Sequence, residues 1–106
     1  MIYNEAIFDC DKETFRSIYK YLSDAGLEDL YPEAYIDFPK RRIAFWADTE
    51  ILTPFEDLSG RFPDVRFSVT YFTDLMDVRL DCVFLGGRII TRRSDDITEI
   101  LNELRL

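Results

Sequence analysis

Five carboxylates fall between Asp24 and Asp37 with no base among them: Asp24, Glu28, Asp29, Glu33 and Asp37. Leu27, Leu30, Tyr31 and Tyr35 are interleaved with these acids. Carboxylates steer a cationic protein surface toward the chain, and rings beside them supply the anchors that become buried on contact. The residues this pattern selects for binding are Asp24, Glu28, Asp29, Tyr31, Glu33, Tyr35 and Asp37. The plainer alternative is a solvated acidic loop whose Leu and Tyr side chains turn into a core. A second set of carboxylates flanks Cys10, where Asp9 and Asp11 end an apolar run, and Asp95-Asp96 follows a late strand-like segment. Tyr3 and either Phe45 or Trp46 form a third set, rings on which nucleic-acid bases stack when a sheet displays them. Arg88, Arg92 and Arg93 surround the last hairpin. Arginine suits planar, bidentate contact with an anion or a protein, although edge strands also carry it to blunt edge-to-edge pairing.

Composition removes several chemistries. The 106 residues contain no His, so Ser-His-Asp and Cys-His nucleophile systems and His-containing zinc sites are excluded. The two cysteines, Cys10 and Cys82, are too few for a disulfide scaffold and lack zinc-knuckle spacing. A reduced, cytoplasmic setting is the expectation. Twenty-one acids against thirteen bases give a formal net charge of −8, which disfavours nucleic acid and anionic membrane and favours a basic partner. The N-terminal residues lack the basic and apolar regions of a signal peptide, and no apolar run is long enough to span a bilayer. No cofactor or metal is expected.

The elements that must position these groups follow from periodicity. Ile2 to Asp9 reads as a strand, and Asp11 can cap a helix in which Phe15, Ile18, Tyr19, Leu22 and Ala25 share a face. Gly26 supplies its stop, and a loop is expected from there to a strand at Ala34 to Phe38. Pro39-Lys40-Arg41 turns into a second strand, Arg42 to Asp48. Strand alternation sends Phe45 and Trp46 to opposite faces, so one of them is core. Thr53-Pro54-Phe55-Glu56 is a capping box that starts a helix running to about Phe62, ended by Pro63. Alternation over Val65 to Tyr71 and over Val78 to Phe84 gives two further strands, and Gly86-Gly87 turns the chain into Arg88 to Arg92. Asp96-Ile97-Thr98-Glu99 can cap a terminal helix with Ile97, Ile100, Leu101 and Leu104 facing the core. The fold class expected is one α+β domain over residues 1–106, a ferredoxin-like split βαββαβ core with an added C-terminal β-hairpin and terminal helix.

Two family resemblances bear on function. Ala6-Ile7-Phe8-Asp9-Cys10-Asp11 resembles the opening motif of haloacid-dehalogenase-type phosphatases. It implies a nucleophile at Asp9, an acid–base group at Asp11, magnesium held by both, and a further metal carboxylate at Asp95-Asp96. Against it, Glu13 replaces the usual Thr, no Lys sits on a phosphate loop, and the chain is short for a doubly wound sheet. Separately, Phe45-Trp46, Thr53-Pro54, Leu58-Ser59, Phe62-Pro63-Asp64, Phe67 and Tyr71 resemble the YubB-type ferredoxin-like domain of phage and plasmid proteins over roughly residues 43–72. The chain departs from that family in its first half and after Tyr71. The resemblance implies a ferredoxin-like fold and a mobile-element origin, and transfers no catalytic residue. The function expected is a non-catalytic domain whose acidic segment occupies a basic surface of a partner such as a nuclease. RNA or single-strand binding on the sheet, and a magnesium-dependent phosphatase using Asp9 and Asp11, are the alternatives.

Overall fold

A computed structural model describes residues 1–48, 53–73 and 79–94. Strand β1 (Ile2–Asp9) leads into helix α1 (Lys12–Asp24), a short helix α2 (Leu27–Leu30), and strands β2 (Tyr35–Asp37) and β3 (Arg42–Ala47). Helix α3 (Thr53–Arg61) and strands β4 (Arg66–Thr73), β5 (Arg79–Leu85) and β6 (Arg88–Ser94) complete the described elements. The fold is α+β: the six strands form one sheet in the order β2-β3-β1-β4-β5-β6, with every neighbouring pair antiparallel. The terminal helix expected from Asp96 and the expected strand start at Val78 lie outside the described residues.

Strand register sorts side chains onto two faces. Asn4 and Ala6 of β1 stand beside Phe45 and Ile43 of β3 and beside Tyr71 and Val69 of β4, while Phe67 pairs with Phe84 of β5. These buried residues share one core with Phe15 and Ile18 of α1 and Phe55 and Leu58 of α3, so both longer helices cover this face. Rings dominate the contact: Phe67 stacks on Phe84 at 5.0 Å and 8°, and Phe55 lies 6.0 Å from each. Tyr3, Glu5, Arg42, Trp46, Phe72 and Asp81 alternate with the core residues and belong to the opposite face, which no described helix covers.

Local chemistry fixes the ends of α1. The Asp11 side chain accepts the Thr14 amide at 2.8 Å, which satisfies one of the unpaired donors of the first turn. Hydrogen bonding from Thr14 holds the Asp11 carboxyl below the usual carboxylate range. A depressed folded-state pKa adds stability above the ordinary carboxylate pKa, and that contribution is lost as pH falls through the depressed value. Asp11→Ala is therefore expected to melt earlier than the parent at neutral pH, with the two melting temperatures converging in acid, as thermal scans across pH would record. At the other end Gly26 takes φ 92°, and its N–H donates to the Ser23 carbonyl at 3.0 Å. Only glycine enters that region without steric cost.

Two boundaries differ from the periodicity. The segment after Gly26, expected as a continuous loop, forms α2, because Leu27 plugs the core at 7% exposure and the Leu30 and Tyr31 amides bond back to Gly26 and Leu27. Strand β2 holds three residues instead of five. Phe38 leaves it to pack edge-on against Phe15 and Tyr19 beneath α1. The turn to β3 then closes with Arg41 at φ 50° and Lys40 N–H on the Asp37 carboxylate.

Candidate functional site

The acidic segment occupies two surfaces. Asp24 ends α1, Glu28 and Asp29 are exposed on α2, and Glu33 is exposed just beyond it. Tyr35 and Asp37 stand on β2, paired with Ala44 and Arg42, and so belong to the sheet face opposite the one that α1 and α3 cover. Tyr31 is half-buried and stacked on Phe45 at 4.4 Å, so it serves the core as well as the surface. Tyr19 donates its hydroxyl to Glu28, and this bond to a carboxylate pushes the Tyr19 phenol above its ordinary pKa. That contact ties α2 to α1 and fixes where the Glu28 charge sits.

Between α2 and the end of β3 lies a cleft of about 310 Å³, with Met1, Leu30, Tyr31, Glu33 and Trp46 in its wall. A second cleft of about 250 Å³ lies on the other side of the same segment, bordered by Leu22, Leu27, Pro54, Phe55 and Asp57. Leu30 and Tyr31 line both. Leu30 therefore forms a crest between two hollows and is 69% exposed, the most open large apolar side chain among the described residues. Glu28 and Asp29 lie on the same helical turn as this crest, and Glu33 borders it. A protruding apolar group between concave, mainly apolar walls, rimmed by carboxylates, is how a protein anchor is built.

The sheet face opposite α1 and α3 carries a row of rings. Tyr3 of β1 sits 5.1 Å from Trp46 of β3 and 6.4 Å from Phe72 of β4. Of the two rings weighed in the sequence, Trp46 joins Tyr3 and Phe45 is core at 4% exposure. Arg42 stands over Tyr35 at 5.4 Å and donates to Tyr3 Oη at 2.9 Å and to Glu5 at 2.7 Å. The Glu5 carboxylate holds the Arg42 guanidinium above its usual pKa. On the far side Arg79 lies over Phe72 at 5.3 Å and pairs with Asp81 at 3.0 Å, which also accepts from Thr70 at 2.7 Å. Both cations beside the rings are thus occupied by acids of the same face.

The remaining candidates stand apart. Asp9 is exposed at the end of β1, whereas Asp11 is engaged as the α1 cap. Between them, burial and the adjacent carboxylates push the Cys10 thiol up, away from the reactive thiolate. Asp95 and Asp96 lie outside the described residues. Arg88, Arg92 and Arg93 are exposed on β6, the edge strand beside β5. The acids of residues 24–37 were legible from the sequence, but Leu30 as a crest and Phe72 as a member of the ring row were not. The signal for Phe72 is its alternation with Tyr71, which becomes informative once β4 is known to lie against β1. No protein-family model, curated protein or solved structure gives a significant match to the chain.

Proposed function

We propose that this chain is a ferredoxin-like, non-catalytic protein-binding domain that occupies a basic surface of its partner, such as the cationic groove of a nuclease or other nucleic-acid enzyme. The observation that carries this reading is the Leu30 crest, open between two clefts and bordered by Glu28, Asp29 and Glu33. Leu30 supplies apolar area that water leaves on contact, and the acids accelerate encounter with a cation-rich surface and reject anionic ones. A net charge of −8 adds a long-range bias toward such partners. The strand order β2-β3-β1-β4, with α1 and α3 as its two crossovers, supports the split βαββαβ assignment. The run from Phe45 to Tyr71 that resembles YubB-type domains supports a mobile-element setting, in which inhibitor, immunity and anti-defence proteins use this kind of surface.

The test is capture of binding proteins from host-cell lysate by the immobilised chain, compared with two charge-reversed variants. Reversal of Glu28, Asp29 and Glu33 to Lys is expected to abolish capture of a basic protein. Reversal of Asp9, Glu13 and Asp64, exposed acids that line neither cleft, gives the same net charge and is expected to retain most of it. Equal capture by all three proteins, or equal loss in both variants, would show that the crest is not the binding site.

A further inference from the structure

We infer that the cleft of about 250 Å³ walled by α1, α2 and α3 receives an arginine side chain of the partner. The inference rests on the Leu30 crest as the point of contact and names the group that enters beside it.

Size narrows the occupant first. Pockets that enclose a drug-sized ligand hold roughly 300–1,000 Å³, so a hollow of about 250 Å³ fits a single long side chain. Its floor is preformed: Leu27, Phe45 and Phe55 line it and are buried, and Phe45 stacks on Tyr31 at 4.4 Å and on Phe55 at 6.2 Å. Tyr21 and Tyr31 are half-buried in its wall, and Leu30 stands at its edge. An extended stem laid against Leu27 and Leu30 is covered with apolar surface along its length.

Charge then selects the tip of that side chain. Asp57 of α3 borders the cleft, is exposed, and has no hydrogen bond or ion pair to another described residue. An apolar guest would take water from this carboxylate and return nothing, whereas a cation returns an ion pair. One turn further along α3, Arg61 already lies over the Tyr21 ring at 5.9 Å, so the rim of the cleft holds a guanidinium of the chain's own against one of these rings. Arginine fits better than lysine because its planar group can rest on the open surface of Tyr31 and meet both oxygens of Asp57. Arginine is also among the residues that carry the largest share of binding energy at protein contacts.

Titration of the isotope-labelled full chain with N-acetyl-arginine amide, followed by nuclear magnetic resonance, tests this without the partner. Two controls are N-acetyl-lysine amide and N-acetyl-citrulline amide, the second having the shape of the arginine probe without its charge. The arginine probe is expected to give saturable shifts at the amides of Leu27, Tyr31 and Asp57 in the millimolar range, the lysine probe weaker ones, and the citrulline probe none. Asp57→Asn, with an unchanged circular dichroism spectrum, is expected to weaken arginine binding by about fivefold, the upper end for an exposed charge pair. Glu13→Gln, the same change of charge on the first turn of α1, is expected to leave it unchanged. Shifts that do not saturate, an equal response to arginine and citrulline, or indifference to Asp57→Asn overturns the inference. Failure of the probe removes the arginine and leaves the crest to be judged by capture from lysate. Saturable probe binding by a chain whose charge-reversed variants capture as well as the parent would overturn the partner as the source of the guanidinium.

Discussion

Phe67→Ala is expected to cost about 3–5 kcal/mol of folding stability, the range for truncating a buried aromatic side chain. Phe67 is 2% exposed and sits where β1, β4, β5 and α3 meet: its ring lies 4.8 Å from Phe8, 5.0 Å from Phe84 and 6.0 Å from Phe55. Removing it withdraws a partner from three rings at once. The surrounding strands cannot close the gap, because Phe8 and Phe84 are held in register on both neighbours of β4. A domain of this length has roughly 5–15 kcal/mol in total, so the loss is a large fraction of the whole. Urea unfolding is expected to show a lower midpoint at an unchanged slope. A shift under about 1 kcal/mol would mean that the ring cluster is not the centre of the core.

Leu30→Asp is expected to do the reverse, leaving folding almost untouched while removing partner binding. At 69% exposure the side chain has little burial to lose, so a surface substitution here changes stability by under about 0.5 kcal/mol. On the partner the same group is the central anchor, and truncating such an anchor costs about 2 kcal/mol or more, a factor of about 30 in Kd. A carboxylate placed there adds to the loss by carrying an unpaired charge into the desolvated centre of the contact. The extra negative charge would slightly favour the approach of a basic partner, so the expected signature is faster dissociation with little change in association rate. Kinetics measured by surface immobilisation would separate the two. A large loss in association rate with unchanged dissociation would point to steering alone and remove Leu30 as an anchor.

Much of the architecture was legible because it rests on local rules. The alternation of Phe67, Val69 and Tyr71 with Arg66, Ser68 and Thr70 is enough to place β4, and Asp11 and Gly26 mark the ends of α1 by chemistry that acts within four residues. What local rules miss is set by distant contacts. The four residues of α2 have too few turns to show a period, and Leu27 makes a helix there only because a core pocket receives it. Phe38 reads as strand until the rings of Phe15 and Tyr19 draw it under α1.

The candidate site divides in the same way. Its carboxylates were visible as a run, but the separation of Asp37, on the sheet face, from the acids around the crest depends on where β2 begins. The Tyr3, Trp46 and Phe72 row joins residues from three strands separated in sequence by three helices, and no short-range pattern carries that register. Tyr31 shows the limit of composition most clearly. Its ring beside acids reads as a surface anchor, yet it is half-buried and stacked on Phe45.

Contact between the Leu30 crest and a basic partner can be caught by photo-crosslinking from that position. With benzoylphenylalanine in place of Leu30, irradiation in host cells is expected to give one dominant adduct to a basic protein, suppressed when Glu28, Asp29 and Glu33 are reversed to Lys. The same probe at Ser17, exposed on the solvent side of α1, is expected to give none. An adduct from Ser17 with none from Leu30 would place the partner on α1 and leave the crest facing water, the opposite of what is proposed.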